Sequence, residues 1–352
     1  PYRRQRQMCI RDRLMDQFNV YKDMKARTNG EIYIGVVGPV RTGKSTFIKR
    51  FMNLMVLPNI EDENDRNRAN DELPQSSSGK TIMTTEPKFV PNEAVSIKTE
   101  EGIELNVRLI DCVGYMVEGA TGHMEGEEER LVKTPWFDYE IPFTKAAAIG
   151  TKKVITEHST IGVVVTCDGS FGEIAAKQYE PAEEETIKQL KALKKPFVVL
   201  LNTIHPYSES TKQLAAEKEE KYQTKVLPMN LEQMKKEDIY EIIKSVLMEF
   251  PISSIGFYVP RWTEMLKKDH PLKMELLQMA RDVITEKTTM RDIYEEQEKE
   301  YEYITGQKLE SVAMDSGEVV ITVKVGDVYY YEFLSETTGM EICLLYTSDA
   351  AD

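Results

Sequence analysis

The chain is short of cysteine, of positive charge and of long apolar runs. Four of its 352 residues are cysteine, and only Cys112 and Cys167 lie away from the ends. Two thiols so far apart in sequence suggest no disulfide framework, and reducing surroundings fit. No apolar run approaches the roughly 18–20 residues a membrane-spanning helix needs. No signal peptide follows Met15. Acidic residues outnumber basic ones, 59 to 45, for a net charge of −14. Such a surface argues against nucleic acid or anionic lipid as the main partner. After Pro251 there is no metal cluster, nucleophile triad or repeat.

Both ends read as adapter-derived rather than native. The tail Cys343–Asp352 back-translates to a DNA element whose reverse complement, shifted in frame, encodes Arg4–Asp12. One inverted element, similar to the transposon end of a sequencing adapter, accounts for residues 1–14 and 343–352. Both are set aside from fold reasoning. Removing their five Arg and three Asp leaves 40 basic and 56 acidic residues, net −16, over 15–342. On this reading Met15 is the natural start, and the native protein continues past Ile342.

Residues 38–45 read Gly-Pro-Val-Arg-Thr-Gly-Lys-Ser, a complete G-x-x-x-x-G-K-S phosphate loop. A β-prone run, 32–37, precedes it and an amphipathic helix pattern follows over 46–52. That context predicts nucleotide binding: glycines turn backbone N–H groups inward, and the helix N-terminus adds partial positive charge. The nucleotide set is Gly38, Pro39, Val40, Arg41, Thr42, Gly43, Lys44, Ser45, Thr46 and Gly114. Lys44 is expected at the β- and γ-phosphates and Ser45 on Mg²⁺.

Alternating apolar residues over 95–99 and 105–111, joined by Glu-Glu-Gly, predict a hairpin ending in Asp111-Cys112-Val113-Gly114. This D-x-x-G, about 70 residues after the phosphate loop, places Asp111 in the magnesium shell and Gly114 at the γ-phosphate. Between them, Thr84 and Thr85 are candidates to ligate Mg²⁺ and sense the γ-phosphate. The sequence does not fix which one ligates. The metal set is Ser45, Asp111 and Thr85; the catalytic set is Lys44, Asp111, Thr84 and Thr85.

Runs at 161–166 and 196–202 read as buried parallel strands, alternating with helices near 144–157, 181–194 and 208–223. The expected fold is therefore α/β, a GTPase-like P-loop NTPase over 15–250. Its mixed, mostly parallel sheet carries helices on both faces. Where a GTPase ends this strand in N-K-x-D, the chain has Asn202-Thr203-Ile204-His205. Losing the guanine-reading Asp favours ATP. Tyr115 stands where Ras-type switches place a water-orienting Gln, so intrinsic hydrolysis is expected to be slow. Arg41 reads equally as a solvated loop residue or as a cation acting in cis or across an interface. The acidic stretch 117–143 reads as irregular, a lid or interaction segment. Beyond Pro251, two helices over about 259–303 and strands at 309–314, 319–325 and 328–334 suggest a smaller α+β module over 251–342.

Several stretches together resemble the stage IV sporulation protein A family, coat-morphogenetic ATPases of endospore-forming Firmicutes. They are Gly35–Thr46, Val56–Ile60, Asp71–Ser76, Gly79–Pro91, Asp111–Tyr115, Thr134–Trp136 and Glu157–Val164. The resemblance spans about 15–342. It implies a self-assembling scaffold that hydrolyses ATP with Mg²⁺, in the mother-cell cytoplasm at the outer forespore surface. It implies recruitment by a small amphipathic membrane-bound peptide, association with other coat proteins, and peripheral membrane contact only through a partner or a further C-terminal region. By position, Lys44, Thr84, Thr85 and Asp111 match the family's Walker A, sensor-threonine and Walker B residues. The alternatives are a translation-factor-type regulatory GTPase and a nucleotide-binding structural module without turnover.

Overall fold

The computed structural model describes residues 19–74, 86–98, 104–120, 124–125, 128–171, 174–294 and 299–342. Two compact units emerge, one over Asn19–Phe250 and the other from Pro251 onward.

The first unit opens with α1 (Val20–Arg27), β1 (Glu31–Val37) and α2 (Lys44–Phe51). Then come α3 (Glu63–Asp71), β2 (Lys88–Lys98) and β3 (Glu104–Asp111). Short strands β4 (Met124–Glu125), β5 (Glu128–Glu129), β6 (Leu131–Thr134) and β7 (Phe137–Pro142) lead to α4 (Phe143–Lys153). The unit closes with β8 (Ile161–Cys167), α5 (Ala176–Ala192), β9 (Phe197–Asn202), α6 (Glu209–Tyr222), β10 (Val226–Met229) and α7 (Lys236–Met248).

Its six-stranded sheet runs β10-β9-β8-β1-β3-β2. Every pairing is parallel except β2 with β3 at one edge. Every residue of β8 and β9 is buried, because helices cover both faces of a central parallel sheet. Val37, Ile110, Val164, Val199 and Leu201 share one core cluster with Ile187 and Leu190 of α5 and Tyr222 of α6. Parallel order brings the C-terminal ends of β1, β3, β8 and β9 to one edge. Ligands of such sheets bind in the crevice outside that edge.

Several expectations need correction. The stretch 117–143 is not wholly irregular: β4 pairs with β5, and β6 with β7, in two short antiparallel hairpins. Helix α5 starts at Ala176 rather than 181. The Ala175 amide donates to Gln178 Oε1 at 3.1 Å and fixes the earlier start, with Pro181 carried inside the helix. Strand β10 and helix α7 have no counterpart in the expected elements. The hairpin turn 99–103 lies outside the described residues.

The second unit contains β11 (Ser254–Tyr258), α8 (Pro271–Glu286), β12 (Ile304–Ala313), β13 (Glu318–Val325) and α9 (Asp327–Thr338). The three strands order as β11-β13-β12. Strand β11 is an addition to the expected elements. The first helix expected before Asp269 is a single 3-10 turn, Arg261–Met265. The second, α8, stops at Glu286. Its start follows from Pro271 at the first turn and from His270 Nδ1, which accepts from the Leu272 amide at 3.2 Å. Residues 328–334, expected as a strand, belong to α9. Asp327 in its first turn and Gly339 at φ 69° past its end are helix signals that outweighed the β-propensity of three consecutive tyrosines.

Candidate functional site

The Gly38–Ser45 loop joins β1 to α2 at the C-terminal edge of the sheet. Its shape needs unusual backbone. Gly38 and Gly43 have φ of 130° and 101°. A Cβ on Gly38 would lie 2.4 Å from the Val165 carbonyl oxygen, so only glycine fits. The loop is tied internally and externally. Thr42 Oγ1 donates to the Pro39 carbonyl at 3.0 Å. The Val40 amide donates to the Tyr115 carbonyl at 3.0 Å, and Pro39 forms a parallel bridge with Tyr115. Asn202 Nδ2 donates to the Thr42 carbonyl at 3.0 Å, while its Oδ1 accepts from the Leu231 amide at 3.3 Å.

Lys44, 5% exposed, caps the loop from inside. Its Nζ donates to the Pro39 carbonyl at 2.5 Å and to Gly38 at 3.4 Å. One residue on, Ser45 Oγ donates to Asp111 Oδ2 at 2.9 Å. Asp111 arrives there because β3 lies parallel to β1 with Asp111 opposite Val36. Its other oxygen, Oδ1, is buried with no hydrogen-bond partner. Gly114, at φ 93°, presses on the same place. A Cβ there would sit 2.1 Å from the Gly38 oxygen and 2.7 Å from Lys44 Nζ. Thr46 is half-buried on the first turn of α2. Thr84 and Thr85 lie outside the described residues.

Burial sets the electrostatics. Desolvation pulls the Lys44 ammonium below its ordinary value, with Cys112 and Asp111 pulling the other way. Desolvation also raises the Asp111 carboxyl, against Lys44 and the Ser45 hydroxyl. The neighbouring Cys112 thiol is pushed up to about 11 by burial and stays neutral. A buried cation and a buried carboxylate with a spare oxygen suit an anionic ligand carrying a hard cation. Among the described residues no cluster of three or more His, Cys, Asp or Glu could hold a metal on its own. One carboxylate plus one hydroxyl fits Mg²⁺, which leaves its other positions to phosphate and water.

Tyr115 does not face Lys44's pocket. Its ring packs against the cluster of Val40, Val117, Ala120 and Tyr179, and burial pushes its phenol up to about 12. At the other end of the edge, Thr203 is fully buried and its Oγ1 accepts from the His205 amide at 3.1 Å, with His205 exposed. Asn202 is the residue whose structural part the sequence reading missed. It appeared there only as the first letter of the altered selector, whereas its side chain bridges β9, the loop and the turn after β10.

Residues 15–251 match the family model described as stage IV sporulation protein A, ATPase domain, and residues 252–346 match that of the middle domain. The chain belongs to the stage IV sporulation protein A family. It is 46% identical over 330 residues to the Bacillus anthracis stage IV sporulation protein A, covering 93% of this chain and 67% of that one. It is 48% identical over 326 residues to the protein of that name from Clostridioides difficile strain 630, covering 92% and 66%. For Bacillus subtilis strain 168 the identity is 45% over 330 residues. The chain spans about two thirds of the length of these relatives. The Lys44–Asp111 constellation lies within the family's ATPase domain, and no helix among the described residues is long and apolar enough to cross a membrane.

Proposed function

We propose that the Gly38–Ser45 loop is the phosphate loop of a GTPase-like P-loop ATPase over 15–250, that it hydrolyses ATP slowly, and that turnover drives self-assembly. The observation that carries this is the convergence of Lys44, Ser45, Asp111 and Gly114 at one buried point. Bound Mg²⁺ would neutralise charge building on the phosphate oxygens, held by Ser45 and Asp111, with Thr85 or Thr84 as the further hydroxyl. Lys44 would exchange its carbonyl partners for phosphate oxygens. Gly114 brings backbone to the γ-phosphate without a side chain in the way. The residues 251–342 serve assembly rather than chemistry.

ATP is the nucleotide this site favours. No carboxylate follows Asn202 to pair the guanine donors, and the Thr203 hydroxyl is already engaged by the chain itself. In the full-length protein the polymer would form the base layer of the spore coat at the forespore surface. A small amphipathic membrane-bound peptide and other coat proteins would be its partners. Tyr115, turned into an apolar cluster, favours an isolated monomer that binds nucleotide but turns it over poorly.

The test is competition binding plus sedimentation. ATP should outcompete GTP by at least about tenfold, a gap of about 1.4 kcal/mol. Full-length protein should sediment as polymer with ATP and release phosphate. The Thr84→Ala/Thr85→Ala double variant should bind ATP yet lose both. Equal GTP affinity promotes the regulatory GTPase reading. Normal polymer without phosphate release promotes the structural module.

A further inference from the structure

Two faces of the chain pair aromatic rings with charge of opposite sign. The first spans the β6–β7 hairpin and α4. From Arg130 to Lys153 there are five basic and two acidic residues, net +3, in a chain whose 15–342 span is −16. The hairpin carries Trp136, Phe137 and Tyr139, with the Phe137 and Tyr139 rings 5.3 Å apart and Tyr139 61% exposed. Cations from α4 lie over these rings. Lys145 Nζ is 6.0 Å from the Phe137 centroid, and Lys153 Nζ is 5.8 Å from that of Trp136. Lys145 and Lys152, two turns apart, share one face of α4, and both are exposed. Neither has a carboxylate partner among the described residues, whereas Lys153 is held by Glu157 at 3.0 Å.

The second face is α9. Its twelve residues, Asp327–Thr338, include three acids and no base. Val328, Glu332 and Glu336 follow one another at four-residue steps, so they line one side of the helix, and all three are exposed. Asp327, Glu332 and Glu336 have no cationic partner among the described residues. The same helix carries rings: Trp262 packs 5.6 Å from both Tyr330 and Phe333, and Tyr330 lies 5.5 Å from Tyr331. Yet no residue of α9 is fully buried.

We propose that these faces meet between copies: the basic hairpin and α4 of one chain dock on α9 of a second copy. The inference rests on the self-assembly reading above and names its contact. Each face matches the other in sign, and both combine aromatic rings with charge, as specific interfaces do. Every copy carries one face of each kind, so the contact is heterologous, the class that closes into rings or runs on as open polymers. An anionic lipid surface fits the basic face alone and leaves α9 without a partner.

The test sediments full-length proteins with Mg·ATP: wild type, Lys145→Glu/Lys152→Glu, Glu332→Lys/Glu336→Lys, and an equal mixture of the two variants. Each variant alone sets like charges against each other at every contact, so the concentration needed for polymer should rise at least about tenfold. The mixture should polymerise at the wild-type concentration, because a reversed α4 meets a reversed α9 and the two variants alternate. Unchanged circular dichroism and ATP binding check the fold. The neutral variants Lys145→Gln/Lys152→Gln and Glu332→Gln/Glu336→Gln should shift the concentration the same way by a smaller factor, and mixing should not rescue them. Polymer from either reversed variant alone at the wild-type concentration overturns the proposal, and so does a mixture that stays soluble. Phosphatidylserine vesicles supply the other arm: if Lys145→Glu/Lys152→Glu loses vesicle binding and polymerises normally, the face belongs to lipid. A wild type that never sediments with ATP removes the self-assembly reading, and the proposal with it. Normal wild-type polymer with unaffected variants removes the proposal alone.

Discussion

Among the described residues, the buried charges all belong to the first unit. In Asn19–Phe250, ionisable groups sit inside: Lys44 is 5% exposed and Glu183 is fully buried. Glu183 accepts from Thr166 Oγ1 at 2.5 Å and from Lys218 Nζ at 2.7 and 3.0 Å, which stitches α5 and α6 to β8. From Pro251 onward, ion pairs such as Lys308–Glu310 lie on the surface, with side chains 56% and 48% exposed. Strands differ likewise. β8 is buried throughout, whereas β13 alternates, with Val319, Ile321 and Val323 turned inward. The lesson is that a buried charge must be satisfied by a partner or a ligand, while a surface charge asks for neither. Glu183 has its partner within the chain. Lys44 bonds the Gly38 and Pro39 carbonyls, while Asp111 keeps a buried oxygen with no hydrogen-bond partner.

The comparison breaks first at the buried pocket. Lys44→Ala or Asp111→Ala should reduce ATP turnover to background, by at least about 100-fold, at unchanged circular dichroism. Replacing Lys308 or Glu310 should leave phosphate release alone. Wild-type rates in the first pair would separate the pocket from catalysis altogether.

Stability sharpens the contrast. Glu183→Ala strands Lys218 and the Thr166 hydroxyl, and should destabilise the fold by about 3 kcal/mol in urea titration. Glu310→Ala should cost under about 0.5 kcal/mol. Similar costs for the two would mean that burial of Glu183 is not what matters.

The smallest expected effect sets two glycines against each other. Gly114→Ala must displace the Gly38 carbonyl or Lys44 and adopt φ 93°, a penalty of about 1–3 kcal/mol that should appear in urea titration as well as in ATP affinity. Gly306→Ala in β12 meets nothing within 4 Å and should be neutral to within about 0.5 kcal/mol. An unaffected Gly114→Ala would show that the loop and the Asp111–Gly114 turn are free to part.

Much of the first unit was legible because its signals are local. The strand, glycine loop and helix around Lys44 fall within 21 residues, from Glu31 to Phe51. Buried strands β8 and β9 announced themselves as apolar runs. Asn202 was harder, since its role depends on three segments meeting, which no short window contains. In the second unit local propensity misled. Tyr329-Tyr330-Tyr331 reads as strand, yet these residues lie on α9, between helix-forming ends and with Tyr330 and Phe333 against Trp262 and Tyr329 against Tyr303. Strand β11 was missed because Gly256 interrupts a five-residue run whose pairing partner, β13, lies about 60 residues later.

One hydrogen bond described above also makes an observable. The Val40 amide reaches across to the Tyr115 carbonyl, so beside the Ser45–Asp111 hydroxyl bond one exchangeable backbone proton joins the two motifs that meet at Lys44. Its deuterium uptake would report, residue by residue and without any label, whether the halves stay zipped as nucleotide comes and goes. A slow amide throughout the cycle would mean the pocket works as a rigid die. Bursts of exchange at each turnover would mean that it opens and closes like a hinge-pin, and would time the opening directly.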